Sequence, residues 1–567
     1  MSILHWLGKK KKAPLDGTVL SGHTGDARPT AEALLRLARE AQEQGNLDVA
    51  LDYIAQAIQA DPSGSAHLVD MAANAHRMDL FSRAALNAGI ALIDANRWED
   101  AQAALLLATR IVPDWAPPYV NLAYLELSRG RAPAAIALYR KAIELDPAAP
   151  VPRSYLLFAL NMTDEIGAEQ NFLEHRRFGE WLAATKAGIV RDYSNARDPE
   201  RTLRVGYVSG DYRVHPVAQF LEPLLGDHDP SQVTFVCYSN TSKRDEQTAA
   251  FERLFAHHWR DICSLSDDEV VDVVLEDQID ILVDLSGHTG DSRLGVFARK
   301  PAPVQVAWLG YLNTTGLRSI DYRIVDWHTD PVGVSDARSV ERLVRLPDSQ
   351  WAYWPVIEMP LLPRKKVREA GRVVFGSQNQ YAKISDGCIE LWARILARLP
   401  DARVRVAGLP PAMRTKDVVE RFERFGIGPD RVDAAPRVPI KQYLEALNEI
   451  DIALDAMPYS GATTALDTLW MGVPVVALAG DRSISRSTYS ILKTLGRDDL
   501  IARTPDEYVD LNVRLATDVE WRGELHRTLR EQVRRSPLMD ITRFAENLEA
   551  AYRTMWREWC ATSGRGA

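Results

Sequence analysis

The sequence predicts an α plus α/β chain in which a helical solenoid precedes two α/β domains. Three observations support this: similar stretches recur in the first third of the chain, β-branched runs alternate with helical stretches from Arg201, and an irregular basic segment near residues 355–370 separates two such series. A chain of 567 residues has room for several domains. We expect a disordered basic tail (1–29), the solenoid (30–165), connecting helices (166–198), a first α/β domain (199–360) and a second one with a terminal helix (361–567).

The overall charge argues against one broad class of function. The chain carries 68 basic and 77 acidic side chains, a net charge of −9. General nucleic-acid binding depends on positive charge, so we expect no nucleic-acid partner. The four cysteines are too scattered for a disulfide framework or a zinc site, which fits a reducing cytoplasm.

The first residues do not resemble a targeting or membrane segment. Their charges follow a short apolar stretch, whereas a signal peptide has them before a longer one. No window approaches the length of a membrane helix. The Lys9–Lys12 cluster could touch an acidic membrane weakly, but a solvated, disordered tail is the preferred interpretation. We therefore expect a cytoplasmic protein without stable membrane insertion.

Three stretches in the first third of the chain share one pattern. Each has a small turn residue followed 17 positions later by proline, and the turn residues are Gly45, Asn96 and Gly130. The last two are 34 residues apart, which is the length of a tetratricopeptide repeat. The first interval is 51 residues, so residues 64–95 should hold an irregular helix pair or a degenerate repeat. We predict a short tetratricopeptide solenoid.

From Arg201 the pattern changes to short β-branched runs, the first of which ends in Gly and Asp. The first series is LRVGYVSGDY, VTFVCYS, DILVDLSG, VQVAWLGY, YRIVD and ERLVRLP, and the second is RVVFGSQ, ARVRVAGL, RVDAAP, IDIALDA and VPVVALAG. Strands that alternate with helices indicate parallel sheets, so we predict two Rossmann-like α/β domains with a cleft between them. Neither GxGxxG nor GxxxxGK[ST] occurs, which argues against a nicotinamide enzyme and a P-loop ATPase.

Ligands of parallel sheets gather where the strands end, and the run IDIALDA is followed by a candidate phosphate site. Gly461 supplies a flexible turn, and Thr463 and Thr464 begin a helix whose free N–H groups favour an anion. The structural alternative is that Thr464 and Asp467 form a capping box. Asp455, at the end of the strand, is better placed beside this turn than in a metal site.

Other polar residues follow other strands. Gln380 and Lys383 follow the first strand of the second domain, where a lysine could neutralise a leaving phosphate or simply be solvated. His215 lies at the first strand-to-helix turn, where it could act as a general base or serve as a capping or packing histidine. His288 also lies at a strand end and is a second candidate. His175, in the connecting helices, indicates little by itself.

Taken together, these blocks resemble the protein O-GlcNAc transferase family. The repeats are followed, in the family's order, by LRVGYVSGDYRVHP, KPAPVQVAWLGYLNTTG, NQYAKIS and DIALDAMPYSGATTALDTLWMGVPVV. The resemblance covers nearly all of the chain after residue 30. It implies a two-domain glycosyltransferase-B (GT-B) fold and an inverting, metal-independent enzyme that needs no cofactor. Such an enzyme transfers a sugar, usually from UDP-GlcNAc, to Ser or Thr hydroxyls of a protein.

The resemblance also implies roles for ten residues. Lys383 matches the lysine that stabilises the departing diphosphate, and His215 matches a histidine near the acceptor that is debated as the base. The donor-side matches are Thr463 and Thr464 for the phosphates, Asp467 for the ribose, Gln380 for a nucleotide contact, Tyr443 for a ring near the base, Leu309 and Gly310 for the loop that lines the donor site, and His175 for the sugar pocket.

Three departures from the family pattern leave the donor sugar open. Ala462 stands where animal enzymes have a histidine, Val217 replaces a small hydroxylated residue, and Leu312–Asn313 replaces Pro-Gly. The leading hypothesis is GlcNAc transfer to a protein acceptor held by the repeats. The alternatives are a flagellin glycosyltransferase that uses another nucleotide sugar, such as a CMP-linked nonulosonic acid, and a non-catalytic repeat adaptor. The short array suggests few acceptors, and repeat helices could support an oligomer.

Overall fold

The structure is a computed structural model that describes residues 29–62, 78–185, 192–355 and 373–562. The chain forms two compact units, the first consisting mainly of residues up to Leu156 and the second mainly of residues from Leu157 onward. The predicted disordered tail and the irregular basic segment lie almost entirely outside the described residues, as does part of the irregular interval between the repeats. No helix within the described ranges is both long and apolar enough to cross a membrane.

The first unit is built from consecutive helices that pack in pairs. The predicted turn residues Gly45, Asn96 and Gly130 separate the two helices of each pair and have φ of 75°, 57° and 73°. This left-handed region favours Gly and Asn, which is why small residues recur there. The helices are α1 (Ala31–Glu43), α2 (Leu47–Ala60), α3 (Met78–Asp94), α4 (Trp98–Ile111), α5 (Ala116–Ser128) and α6 (Ala132–Leu145).

Small residues allow the paired helices to approach each other closely. Ala84, Ala101 and Ala104 have no exposed surface. A Cβ at Gly89 of α3 would lie 2.7 Å from the side chain of Leu105 on α4. The alanine spacing in the sequence therefore marks the faces along which the helices pack. Helix α7 (Pro150–Leu160) contains the point of division between the units, and α8 (Ala168–Thr185) follows in the second unit.

The second unit begins with a parallel sheet of seven strands in the order β3-β2-β1-β4-β5-β6-β7. Its central strands are buried on both faces, as expected for apolar runs covered by helices on each side. Its elements are β1 (Leu203–Ser209), α9 (Pro216–Asp227), β2 (Val233–Ser239), α10 (Glu246–Leu254), β3 (Trp259–Asp261), α11 (Asp267–Glu276), β4 (Ile281–Asp284), α12 (Leu294–Ala298), β5 (Val304–Ala307), β6 (Tyr322–Asp326) and β7 (Arg342–Leu346).

A second parallel sheet has six strands in the order β10-β9-β8-β11-β12-β13. Its elements are β8 (Val374–Ser377), α13 (Asp386–Ala397), β9 (Arg403–Leu409), α14 (Thr415–Glu423), β10 (Val432–Pro436), α15 (Ile440–Leu447), β11 (Ile452–Leu454), α16 (Thr463–Trp470), β12 (Val475–Leu478), α17 (Ser487–Thr494), β13 (Ile501–Ala502), α18 (Pro505–Thr517), α19 (Val519–Arg534) and α20 (Ile541–Thr562).

Both sheets reverse their strand order at one point, between β1 and β4 in the first and between β8 and β11 in the second. In open α/β sheets, ligands bind beyond the carboxyl ends of the strands at such a point. Gln380 and Lys383 follow β8, and Asp455 and Gly461 follow β11. The fold therefore brings these predicted residues to the same edge of the second sheet.

The terminal helix α20 leaves the second domain and packs on the first one. It contacts α9, β5 and β7. Nδ1 of His228 lies 2.8 Å from Oε1 of Glu549 on α20. Arg553 donates to the carbonyl oxygens of Pro199 and Arg201, at 2.8 and 2.7 Å. The two domains are therefore tied together by the end of the chain.

Candidate functional site

Helix α16 begins without a side-chain cap. Its N-cap residue is Ala462, whose methyl group cannot accept a hydrogen bond from the first turn. The capping box that Thr464 and Asp467 could have formed is absent, because the helix begins at Thr463 and Thr464 therefore lies inside its first turn and not at the N-cap. Backbone N–H groups at a helix start favour an anion when no side chain takes them. Thr463 and Thr464 are therefore in a position to hold phosphate oxygens.

Asp467 lies buried on α16, where two tyrosines hold its carboxylate. Its Oδ1 accepts a hydrogen bond from the Tyr353 hydroxyl at 2.8 Å, and its Oδ2 accepts one from the Tyr443 hydroxyl at 3.2 Å. Burial raises the pKa of Asp467 to about 6, while the two phenols and the Gln219 side chain act in the opposite direction. The carboxylate is thus ionised at neutral pH and held in place by the two phenols.

Tyr353 and Gln219 are site residues that the sequence did not reveal. Tyr353 precedes the second sheet and is fully buried, and Gln219 lies on α9 of the first domain. The Gln219 amide also donates to the carbonyl of Trp354 at 3.1 Å. The aromatic run WAYW is the one signal in the sequence that could have pointed to Tyr353. Asp467 is therefore supported from both α/β domains.

Lys383 ends a short 3-10 turn, Tyr381–Lys383, directly after β8. Its Nζ lies 4.0 Å from the centroid of the Tyr459 ring. Burial lowers the pKa of Lys383 to about 8, and the negative charge of Asp455 opposes that shift. The ammonium is thus charged at neutral pH but poorly hydrated, which suits it to stabilise an anion. Lys383 is therefore not a solvated surface lysine.

The turn before α16 is held by Asp455 and needs a glycine. Oδ1 of Asp455 accepts the N–H of Gly461 at 2.8 Å. A Cβ at Gly461 would lie 2.8 Å from Oδ1 of Asn379 and 3.3 Å from Oδ1 of Asp455. Burial raises the pKa of Asp455 to about 6, and the charge of Lys383 opposes this shift. Gln380, in contrast, has an exposed side chain at the end of β8.

His215 is the N-cap residue of α9, and its side chain caps the helix. Nδ1 of His215 accepts the N–H of Val217 at 3.3 Å and lies 3.6 Å from Oδ2 of Asp211. Burial lowers the pKa of His215 to about 4, and the charge of Arg437 from the second domain acts in the same direction. The ring is neutral at pH 7, with its proton on Nε2 when Nδ1 accepts. To act as a base at Nε2, the ring must first place a proton on Nδ1, toward Asp211.

The loop after β5 contains the predicted residues Leu309 and Gly310. Leu309 has φ of 71°, which is uncommon for a residue with a side chain. A Cβ at Gly310 would lie 1.8 Å from the carbonyl oxygen of Leu285 and 3.4 Å from Val217 on α9. Only glycine fits there. The loop therefore packs directly beside the start of the helix that His215 caps.

His175 lies in a buried polar network. Its Nδ1 is 2.7 Å from the carbonyl oxygen of Asn171, and its Nε2 is 2.6 Å from the hydroxyl of Tyr311. Burial lowers the pKa of His175 to about 4. The ring of His288 lies 5.5 Å from that of His175. Tyr311 follows Gly310, so the Tyr311 hydroxyl links His175 to the predicted donor loop.

The structure connects several of the predicted residues to one another. Thr464, Tyr443 and Asp467 form one group, and the turn before α16 is held by Asp455, whose charge also acts on Lys383. The charge of Arg437 acts on both His215 and Tyr443. The side chain of Gln380 is exposed, and that of His175 is fully buried.

Comparison with known proteins agrees with this arrangement. The model of the family described as glycosyl transferase family 41 matches residues 187–353 and 359–548, and a tetratricopeptide repeat model matches residues 31–63 and 116–148. These matches cover more than half of the chain. The chain belongs to glycosyl transferase family 41.

Similar proteins are known from plants and from a bacterium. A Petunia hybrida protein named probable UDP-N-acetylglucosamine–peptide N-acetylglucosaminyltransferase SPINDLY is 39% identical over 427 residues, which cover 74% of this chain and 45% of the relative. An Arabidopsis thaliana protein with the same activity name, SEC, is 28% identical over 374 residues, which cover 64% of this chain and 38% of the relative. The chain spans about half the length of the curated relatives it matches.

A solved structure shares the whole architecture. It is a mutant of the Thermobaculum terrenum O-GlcNAc transferase, 34% identical, with a TM-score of 0.79 over 95% of this chain and 100% of that one. The prediction of tetratricopeptide helices followed by the two Rossmann-like domains of a GT-B fold is therefore confirmed, as is the predicted family.

Proposed function

We propose that this chain is a protein O-glycosyltransferase that uses a UDP-sugar, most directly UDP-GlcNAc, as its donor. One observation carries the proposal: a helix start without a side-chain cap, a half-buried lysine and a tyrosine-held carboxylate converge where the second sheet reverses its strand order. These are the three groups that a nucleoside diphosphate needs. The names of the plant relatives and of the bacterial O-GlcNAc transferase support the same donor.

Each group has a distinct task toward the donor. The first N–H groups of α16, with Thr463 and Thr464, bind the diphosphate, and Asp467 accepts hydrogen bonds from the ribose hydroxyls. When the sugar–phosphate bond breaks, negative charge builds on the diphosphate. Lys383 and the helix dipole stabilise that charge without a metal ion or a cofactor. The reaction proposed is a single displacement, which inverts the anomeric centre.

The acceptor is proposed to be a Ser or Thr hydroxyl of a protein. A helical solenoid offers a concave surface that suits an extended polypeptide. His215, neutral at pH 7, either orients the hydroxyl through Nε2 or takes its proton after a change of tautomer toward Asp211. Flagellin is one acceptor to test, and a cytoplasmic location and self-association through the repeats belong to the same proposal.

The first experiment compares thermal stability with UDP, CMP and GDP, for the wild type and for Asp467→Ala. A nucleotide at about 100 times its dissociation constant adds roughly 2.7 kcal/mol to the stability. A shift with UDP alone, which Asp467→Ala removes, is the expected result. A shift with CMP alone would replace this proposal by transfer of an acidic sugar, and no shift with any nucleotide would favour a non-catalytic adaptor.

A further inference from the structure

We propose that Asp455 is a positioning residue for sugar transfer, which holds the phosphate-binding turn in shape and keeps Lys383 charged. The inference rests on the proposed function, because it assigns a role within the same site. Asp455 contacts neither the acceptor nor the donor in this scheme. It acts through Gly461 on one side and through Lys383 on the other.

The first contact fixes the turn. Oδ1 of Asp455 accepts the N–H groups of Ala456 at 2.9 Å and Gly461 at 2.8 Å. The carbonyl oxygen of Gly461 accepts the Thr488 hydroxyl at 2.9 Å. Both polar groups of the Gly461 backbone are thus occupied, and the peptide that leads into Ala462 and α16 has one orientation. The N–H groups at the start of the helix are thereby aimed before any ligand arrives.

The second contact joins the turn to the lysine loop. β8 and β11 are adjacent parallel strands, so the segments that follow them leave the sheet side by side. Ile384 and Pro458 form an isolated antiparallel bridge, and the N–H of Ser385 donates to the carbonyl of Met457 at 3.2 Å. These backbone bonds hold the lysine loop beside the segment that begins at Asp455. A displacement of either loop would therefore be transmitted to the other.

The charges of Asp455 and Lys383 give the proposed role a pH dependence that can be measured. Asp455 and Lys383 each favour the charged form of the other, so burial is opposed on both sides. Burial raises the pKa of Asp455 to about 6 and lowers that of Lys383 to about 8, so both are charged between these values. Transfer should therefore have its optimum in this window. The acid limb reflects protonation of Asp455 together with that of Asp467, whose pKa is also raised to about 6, and the alkaline limb reflects deprotonation of Lys383.

Two other titratable groups face Asp455 and stay neutral through this range. The Cys388 thiol on α13 lies 3.8 Å from the Asp455 carbonyl oxygen, and burial raises its pKa. Tyr508 on α18 also has a pKa well above its usual value because it is buried. Tyr459, beside Lys383, has its pKa raised to about 12. Apart from Asp467, whose protonation adds to the acid limb, the pH profile around neutrality therefore reports on Asp455 and Lys383.

The test is the pH dependence of kcat/KM for UDP-GlcNAc in the full chain, from about pH 5 to about pH 9, with Asp455→Asn. The amide keeps an oxygen that can accept the Gly461 N–H but carries no charge. We expect the alkaline limb to move down by about one pH unit, so that the variant loses about fivefold relative to the wild type near pH 8 and much less near pH 6. The part of the acid limb that Asp455 contributes should vanish, while the part that Asp467 contributes should remain.

The matched control is Asp451→Asn. Asp451 is a buried carboxylate that accepts the N–H of Val374 at 2.8 Å, at the opposite end of β11 from Asp455. Its variant should leave both limbs in place. If Asp455→Asn folds, binds UDP and shows an unmoved alkaline limb, the charge role is wrong. If it loses activity equally at every pH, Asp455 only shapes the turn, which also overturns the proposal. Failure of the wild type itself to bind UDP or transfer the sugar would instead refute the proposed function.

Discussion

At the scale of single residues, the site depends on buried groups whose charge is set by their neighbours. Asp467 is the clearest case, because its two carboxylate oxygens are each held by a tyrosine from a different part of the chain. The phenols make ionisation easier in a place where burial opposes it. They also leave the carboxylate with remaining lone pairs for a ligand's hydroxyl groups.

We therefore expect Tyr353→Phe to weaken UDP binding in a pH-dependent way. Loss of one phenol removes a hydrogen bond that lowers the pKa of Asp467, so that pKa rises above about 6. A rise of about one unit lowers the ionised fraction, and hence UDP affinity, about fivefold near pH 6 but hardly at all near pH 8. Isothermal titration calorimetry at the two pH values measures this difference.

Tyr238→Phe is the matched control for this prediction. Tyr238 donates to Oδ2 of Asp277 at 2.8 Å and thus forms a similar phenol–carboxylate pair outside the site. Its variant should bind UDP as the wild type does at both pH values. An equal loss of affinity at pH 6 and pH 8 in Tyr353→Phe would contradict the electrostatic explanation and assign the tyrosine a purely steric role.

At the scale of secondary-structure elements, the start of α16 is defined as much by what precedes it as by the helix itself. The turn follows β11, includes Gly461 and ends at the N-cap residue Ala462, which has no side-chain oxygen to cap the helix. The Oδ1 atoms of Asn379 and Asp455 both lie close to the position that a Cβ atom would have at Gly461. A helix start of this kind stays open for an anion because the surrounding side chains shape the turn without occupying it.

Gly461→Ala should lower UDP affinity about tenfold or more. The added methyl group would meet Oδ1 of Asn379 at 2.8 Å, and relieving such a contact costs about 1–3 kcal/mol. The turn would shift away from Asp455 and take the first N–H groups of α16 with it. Gly226→Ala is the control, because nothing lies within 4 Å of its Cβ position. Unchanged nucleotide affinity in Gly461→Ala, measured by calorimetry, would contradict this account of the turn.

Local sequence patterns predicted elements well and long-range partners poorly. The run LRVGYVS coincides with β1, and Gly45, Asn96 and Gly130 occupy the left-handed turns between paired helices. These features follow from apolar periodicity and backbone preference, which act over a few residues. The Tyr353–Asp467 bond joins residues 114 positions apart, so no local pattern contains it.

The same limit explains why two interpretations had to wait for the structure. Thr464 and Asp467 have the spacing of a capping box, but the helix begins at Thr463 with Ala462 as its N-cap residue. The Asp467 carboxylate is instead bonded by two tyrosines. His215 could be a base or a cap from its position alone, and the structure shows that Nδ1 does cap α9. The chemical role of its other nitrogen depends on an acceptor.

At the scale of the whole molecule, the division of labour follows the two compact units. The groups proposed to bind the donor lie in the unit that begins at Leu157, and the repeats form a unit with its own core. Because none of these proposed groups belongs to the part of the solenoid that the structure describes, the solenoid is free to serve recognition. A change in one unit is therefore expected to impair the activity that depends on that unit and to spare the other.

Deletion of residues 30–149 should abolish modification of a protein acceptor while donor hydrolysis stays within about twofold of the wild type, because the solenoid is the proposed acceptor surface. Mass spectrometry of the acceptor and an assay for released UDP measure the two activities. Lys383→Ala in the full chain is the control that should lose both. Acceptor modification that survives the deletion would place the acceptor site within the α/β domains instead.

The path of the terminal helix also restricts which chimaeras between relatives can fold. Because α20 packs on the first domain, the second domain and its terminal helix cannot be exchanged as one continuous segment without disturbing the first domain. A chimaera with a single breakpoint before β8 would bring a foreign helix against His228 and the backbone near Pro199. A graft with two breakpoints, which replaces residues 373–540 and retains α20, leaves those pairs intact. Recombination between relatives should therefore tolerate the double exchange and reject the single one.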